Sequence, residues 1–186
     1  VKIIPGDYNN DGRTDLAPVR QAAGWGSIPI AFSNGNGTFN VTNQGVANFP
    51  AWAADLSVKI IEGDYNADGR TDLALVRQAP GWASIPVAFS NGNGTFNVTN
   101  QGVANFPSWA ADTAVKIIPG DYNGDGRQDL ALVRRTAGWT TVPIAFANSN
   151  GTFEVENEQI GDFASWVTGG SVQILPGDYN GDKRTD

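Results

Sequence analysis

Asp7-Tyr8-Asn9-Asn10-Asp11-Gly12-Arg13-Thr14-Asp15 is the stretch on which the reading of this chain turns. Its side-chain oxygens fall at loop positions 1, 3, 5 and 9, from Asp7, Asn9, Asp11 and Asp15. The carbonyl of Arg13 stands at position 7, where helix-flanked calcium loops supply a backbone ligand. Gly12 at position 6 permits the sharp turn that brings these oxygens around one ion. The same set recurs as Asp64, Asn66, Asp68, Arg70 and Asp72, and again as Asp121, Asn123, Asp125, Arg127 and Asp129. A fourth copy offers Asp178, Asn180, Asp182, Arg184 and Asp186. Position 12, where an EF-hand places a bidentate Glu, holds Pro18, Leu75 or Leu132, and the flanks read as strands. An EF-hand is therefore excluded, and the ligand ring must close through the position-9 Asp. A flexible loop with five protein oxygens favours calcium over magnesium. In the fourth copy Lys183 replaces the turn glycine, adding a positive charge and a φ penalty, so a weaker site is expected there.

Working outward, the loop is one part of a 57-residue repeat. Residues 1–57, 58–114 and 115–171 align without gaps, and the first two units differ at nine positions. Residues 172–186 begin a fourth unit and reach the end of its loop. The aromatic residues keep the period: Tyr8, Tyr65, Tyr122 and Tyr179; Trp25, Trp82 and Trp139; Trp52, Trp109 and Trp166. The nine Phe residues form three further classes, headed by Phe32, Phe39 and Phe49, and are expected in the core.

Within a unit four short strands are predicted. Val1-Lys2-Ile3-Ile4 leads into the acidic loop, Leu16 to Arg20 follows it, and Ile28 to Ser33 is a third apolar run. Asn34-Gly35-Asn36-Gly37 is a hairpin signal, since Gly and Asn tolerate the positive φ of tight turns, and Phe39-Asn40-Val41-Thr42 makes a fourth strand. No window shows sustained helical periodicity. Four strands per unit of this length predict an all-β fold, a β-propeller of four-stranded blades, with three blades plus the first strand and loop of a fourth. Closed propellers take about four to eight blades. Ring closure is therefore expected from a homo-oligomer or from further blades of a longer chain.

Composition narrows the chemistry. The 186 residues contain no Cys, His or Met. That removes disulfides, thiolate and imidazole metal sites, and Ser-His-Asp or Cys-His catalysis, and leaves hard oxygen ligands. A first residue other than Met marks a processed protein or an excised segment. No stretch approaches the roughly 20 apolar residues of a membrane span. The net charge of −7 argues against nucleic acid as a partner. Of 19 acidic residues 12 lie in the four loops, so four bound dications would bring the formal charge from −7 to +1. The role expected of the ion is structural, because three close carboxylates repel one another without a cation.

The Asp-x-Asn-x-Asp-Gly-x-x-Asp loop between two strands resembles the FG-GAP/VCBS repeats of integrin α-subunit heads and many secreted bacterial and fungal proteins. The pattern Asn34-Gly35-Asn36-Gly37-Thr38-Phe39, followed by Ala47-Asn48-Phe49 and a Trp, resembles the repeat of fungal and bacterial β-propeller lectins. The resemblance covers essentially the whole chain and implies a propeller, calcium and a secreted, extracellular protein, with carbohydrate as ligand. The segment Val19 to Trp25 departs from those lectins and carries no family sugar motif.

Sugars present apolar C–H faces that stack on indole rings and hydroxyls that need amide or guanidinium partners. Arg20 with Trp25, Arg77 with Trp82 and Arg134 with Trp139 recur in a Gly-containing loop and are the candidate ligand residues. Inter-blade packing is the alternative for these Trp residues and the favoured role for Trp52, Trp109 and Trp166. Asn-x-Thr at Asn36, Asn40, Asn93, Asn97 and Asn150 would accept glycans in a eukaryotic secretory pathway. The function expected is a calcium-dependent, multivalent lectin binding glycans or glycoproteins, and not an enzyme. The alternative is a protein-interaction or scaffold propeller, integrin-head-like or an accessory domain of a larger secreted protein.

Overall fold

The computed structural model describes residues 1–169 and 171–186. Three four-stranded antiparallel sheets follow one another along the chain, each a simple meander. The first blade comprises β1 (Lys2–Gly6), β2 (Asp15–Val19), β3 (Ser27–Ser33) and β4 (Phe39–Gly45), followed by a short helix α1 (Phe49–Ala53). The second comprises β5 (Val58–Gly63), β6 (Asp72–Arg77), β7 (Ser84–Ser90) and β8 (Phe96–Gly102), then α2 (Phe106–Ala110). The third comprises β9 (Val115–Gly120), β10 (Asp129–Arg134), β11 (Thr141–Ala147) and β12 (Phe153–Gln159), then α3 (Phe163–Trp166). The fold is all-β as expected, apart from these single helical turns, which are too short to leave a periodic signal.

The strand order places the acidic loop and the Asn-Gly hairpin at one end of every blade. The Gly-Trp loop between second and third strands, and the helical turn, lie at the other. In the hairpin Gly35 and Gly37 take φ of 75° and 85°, and the Asn34 N–H donates to the Thr38 carbonyl at 2.9 Å. Pro29, Pro86 and Pro143 occupy the third strand and lack an N–H. In the second blade the ladder between β6 and β7 pairs Leu73 with Ala88 and Ala74 with Val87, and stops before Pro86. The same happens before Pro143. A proline is tolerated in this inner strand because the two strands part there, which opens the blade toward the Gly-Trp loop.

The core lies between blades. Leu73, Leu75 and Ala88 of the second blade join Ile4, Tyr8, Ile28 and Ile30 of the first, and Leu130 and Leu132 repeat the arrangement against the second. Tyr8 meets Phe96 edge-on with ring centroids 6.3 Å apart, and Tyr65 meets Phe153 in the same way. The core assignment of the phenylalanines is corrected at Phe163, which is 41% exposed, and at Phe39. Phe39 is 43% exposed, because a Phe of this class is covered by the tyrosine of the preceding blade, which the first blade lacks in this chain.

A second correction concerns residues 172–176, expected as the first strand of a fourth blade. Among the described residues this segment forms no strand. In the first blade that strand exists by pairing with the second, from Lys2↔Val19 to Gly6↔Asp15, and among the described residues nothing pairs with residues 172–176. The fourth acidic loop nevertheless closes, with the Tyr179 N–H donating to Asp186 Oδ2 at 2.9 Å and the Asp186 N–H to the Gly177 carbonyl at 2.8 Å.

Candidate functional site

Each acidic loop is organised by its own carboxylates. Asp7 accepts the Asp11 N–H at 3.1 Å and the Gly12 N–H at 2.8 Å, while Asn9 Oδ1 accepts the Asp11 N–H at 3.2 Å. Asp11 accepts the Arg13 N–H at 2.9 Å, and its second oxygen takes the Asn9 amide and the Arg13 guanidinium. Arg13 Nε donates to the Ser33 carbonyl at 2.8 Å and so ties the acidic loop to the hairpin beside it. Arg70 and Arg127 repeat both contacts. Positions 1, 3 and 5 are thus linked by hydrogen bonds within the loop.

Position 9 is different. Asp15, Asp72 and Asp129 are fully buried. Asp72 accepts the Tyr65 N–H at 3.1 Å and the Ser90 N–H at 2.8 Å, joining the loop to the third strand. Burial pushes its carboxyl up to about 7 against the pull of those two N–H groups, with Asp68 and Asp64 adding to the push. Asp129 is pushed up to about 6 for the same reasons, with Asp125 and Asp121 contributing, and Asp15 is raised chiefly by burial. Among the described residues, no three carboxylates stand within reach of one common point.

The loops also hold one another, which no feature of a single repeat could announce. The Thr71 N–H, at position 8 of the second loop, donates to the Asp7 carbonyl at 2.7 Å, and Thr71 Oγ1 accepts the Asp7 N–H at 2.9 Å. Gln128 N–H to Asp64 carbonyl at 2.7 Å and Thr185 N–H to Asp121 carbonyl at 2.6 Å continue the chain of loops. The glycine before each loop makes room for this: a Cβ on Gly6 would stand 2.5 Å from Thr71 Cγ2, and one on Gly63 would stand 2.3 Å from Gln128 Cγ.

At the opposite end of the blades, two clefts repeat. Trp52 of the first unit and Trp82 of the second wall a cleft of about 150 Å³, with Ser84, Pro86 and Asn100. Trp109 and Trp139 wall its counterpart of about 210 Å³, with Thr141, Pro143 and Asn157. Both tryptophan classes therefore meet at one place, one from each side of a blade junction. Trp25 and Trp166 belong to the same classes but line neither of these clefts, and Trp166 is 68% exposed.

The candidate arginines are turned elsewhere. Arg77 Nε donates to Asp55 at 2.9 Å and Nη1 to the Pro80 carbonyl at 2.8 Å, while Arg134 Nε lies 3.2 Å from Asp112. Arg134 also sits 5.9 Å from the centre of the Trp139 ring. These side chains brace the Gly-Trp turn against the segment after the helix. Arg20 lies against the same turn, 3.4 Å from where a Cβ on Gly24 would be. Asn100 and Asn157 are the polar cleft residues that sequence reasoning missed, and the 57-residue period could have found them.

The FG-GAP-like repeat family matches residues 7–75, 64–132 and 121–186. No curated protein matches the chain significantly. A solved structure is similar, from work on the specific recognition of non-reducing terminal N-acetylglucosamine by an Agrocybe aegerita lectin. Its TM-score is 0.73 and its identity 23%, over 99% of this chain and 44% of that one. This chain thus spans less than half of the lectin's length, and the likeness establishes a shared propeller-type fold.

Proposed function

Because this chain belongs to the FG-GAP-like repeat family, we propose that it is a non-catalytic, extracellular carbohydrate-binding propeller module whose acidic loops hold calcium. The observation that carries the carbohydrate reading is the repeated cleft at both complete blade junctions, each with two indoles from different repeats and one asparagine. Indole faces stack on the C–H face of a sugar ring, and the asparagine amide can pair with a hydroxyl or an acetamido group. Clefts this small suit one terminal ring, and their repetition gives avidity where single sites are weak. The solved lectin of like fold is described as recognising terminal N-acetylglucosamine, which makes that sugar the first ligand to try.

For calcium, the support is the chemistry of the donors. Asp7, Asn9, Asp11, Asp15 and the Arg13 carbonyl, with their repeats, are oxygen donors of the kind a hard cation takes, and they would have to close in around it, since among the described residues no three carboxylates share a common point. Asp72 and Asp129 are buried carboxyls with no cationic partner among the described residues, pushed up by burial and by neighbouring carboxylates. A bound cation would supply the missing positive charge and allow them to ionise. The chain's own residues do the rest: Arg13, Arg70 and Arg127 tie loop to hairpin, and the position-8 residues tie loop to loop.

Calorimetric titration with N-acetylglucosamine, and a glycan array with calcium and then with chelator, test the carbohydrate reading. Binding is expected to two or more sites and to be lost when Trp82→Ala and Trp139→Ala are combined. Failure to bind any glycan under either condition would overturn it and leave the scaffold reading.

A further inference from the structure

Cations collect at one place that neither the acidic loops nor the tryptophan clefts use. The first strands of successive blades lie side by side, β1 next to β5. Between β5 and β9 is a cavity of about 470 Å³. Lys59, Lys116 and Arg135 line it, Ile61, Val115 and Ile117 give it an apolar wall, and no carboxylate lines it. In a chain of net charge −7 this is a local reversal of sign.

None of these three cations is in an ion pair among the described residues. The five ion pairs among the described residues are made by Arg13, Arg70, Arg77, Arg127 and Arg134. Lys2 donates to the Ile60 carbonyl at 2.9 Å, but Lys59 and Lys116, at the same repeat position, make no such bond among the described residues. Arg135 Nη2 is anchored on the Gly169 and Val172 carbonyls at 2.6 and 2.7 Å, which fixes the guanidinium in place. Its Nε is buried with no hydrogen-bond partner among the described residues. A buried donor without an acceptor is costly, and three like charges sharing a cavity repel one another. An anion in the cavity would relieve that repulsion.

We propose that the cavity between β5 and β9 binds a small organic carboxylate, with its acid group on Lys59, Lys116 and Arg135 and its apolar body on Ile61, Val115 and Ile117. The volume falls within the range of small-molecule sites, a few hundred Å³. The two-part lining calls for a ligand with a charged head and an apolar body, since an inorganic anion would leave the isoleucine wall wet. Gln78 also lines the cavity, with Thr113 and Ala114, and donates to the Val115 carbonyl at 2.7 Å.

The repeat supplies substitutions that keep the fold. Gln21 and Gln78 occupy the position of Arg135 in the other units, and each makes the bond to the next blade's carbonyl that Arg135 makes to Val172. Gln173 stands where the other units have Lys2, Lys59 and Lys116. Arg135→Gln and Lys116→Gln therefore remove charge using residues the repeat already accommodates. Calorimetry with phenylacetate, with neutral 2-phenylethanol and with inorganic phosphate tests the proposal at low salt. Phenylacetate is expected to bind at least tenfold more tightly than either control, to weaken at least tenfold in each variant, and to weaken with added salt. Equal binding of phenylacetate to wild type and to both variants, or no binding, would overturn it. Phosphate binding as tight as phenylacetate would refute the role of the apolar wall.

Discussion

Gly6→Ala probes the contact that joins one acidic loop to the next. Gly6 has no positive-φ requirement, so an alanine there meets only what surrounds it. Its Cβ would lie 2.5 Å from Thr71 Cγ2 and 2.7 Å from both Thr71 Cβ and Oγ1. Threonine is stiff at χ1 and its Cβ moves only with the backbone, so the second loop must shift. Overpacking of this kind costs about 1–3 kcal/mol. The shift also strains the Thr71–Asp7 pair of hydrogen bonds, at 2.7 and 2.9 Å, each worth about 1 kcal/mol net. The expected loss is about 2–4 kcal/mol, which at 2–4 °C per kcal/mol for a chain of this size is roughly 4–16 °C in Tm. Gly177→Ala is the internal control, because its Cβ would meet only its own Tyr179 ring, at 3.6 Å, and should change Tm little. Thr71→Gly in the Gly6→Ala background should recover part of the loss, a coupling visible in a double-mutant cycle. Thermal melts followed by circular dichroism decide it. Equal melting of Gly6→Ala and Gly177→Ala would refute the loop-to-loop packing.

Four further outcomes are expected. Ala67 holds φ of 61° where Gly124 and Gly181 stand in later repeats, so Ala67→Gly should stabilise by about 1 kcal/mol; a fall in the melting midpoint would contradict this. Calcium should raise Tm and chelator reverse it, and calorimetry should count three strong sites and a weaker fourth, since Lys183 holds φ of 69° at the turn position. In chelator, Asp72 should make stability fall as pH rises from about 4 through 7, because a carboxyl raised in the folded state binds its proton more tightly there than in the unfolded chain. The shift from 3.8 to about 7 corresponds to at most about 4 kcal/mol. Denaturation midpoints at pH 4.5 and 8 in chelator test it, and Asp72→Asn should flatten the difference. Arg77→Ala should loosen the Gly-Trp turn through lost contacts to Asp55 and Pro80, weakening sugar affinity less than Trp82→Ala does; an equal or greater loss would return the arginine to direct contact.

What the residues told in advance was whatever repeats within one unit. The acidic loop, the Asn-Gly hairpin and the four strands are local, and each was legible from turn chemistry and period. What stayed hidden depends on a neighbour. Thr71 reads as an ordinary loop residue until the Asp7 carbonyl of another blade is placed against it. Gly6 reads as a turn glycine, yet its requirement is the space taken by Thr71. Trp52 and Trp82 are 30 positions apart in the chain and belong to different units, so nothing in either unit pairs them. Arg77 resembled a sugar-binding cation because exposure, and not its partner Asp55, was what the sequence could supply. Residues 172–176 carry the spelling of a strand, yet among the described residues no strand pairs with them.

The meander separates the two chemistries, and that separation bears on how calcium would affect binding. Acidic loops and hairpins cap one end of the blades, tryptophan clefts the other. Strands of five to seven residues put about 20 Å between them, at about 3.3 Å per residue. An ion in the loop of Asp64 cannot touch a sugar between Trp52 and Trp82. It acts through rigidity: position-9 Asp fixes the first hairpin to the third strand through Tyr65 and Ser90, and Thr71 fixes that loop to the preceding blade. Because each cleft is formed by two blades, the angle between blades sets its width, and the loop chain sets that angle from the far end. Calcium removal should therefore lower cleft affinity at both junctions together, in step with the loss of thermal stability. A variant that strains only one loop contact, such as Gly63→Ala, whose Cβ would stand 2.3 Å from Gln128 Cγ, should weaken the Trp109–Trp139 cleft and spare the Trp52–Trp82 cleft. Loss of sugar binding on chelation with an unchanged Tm would break this link and place the ion in the binding site itself.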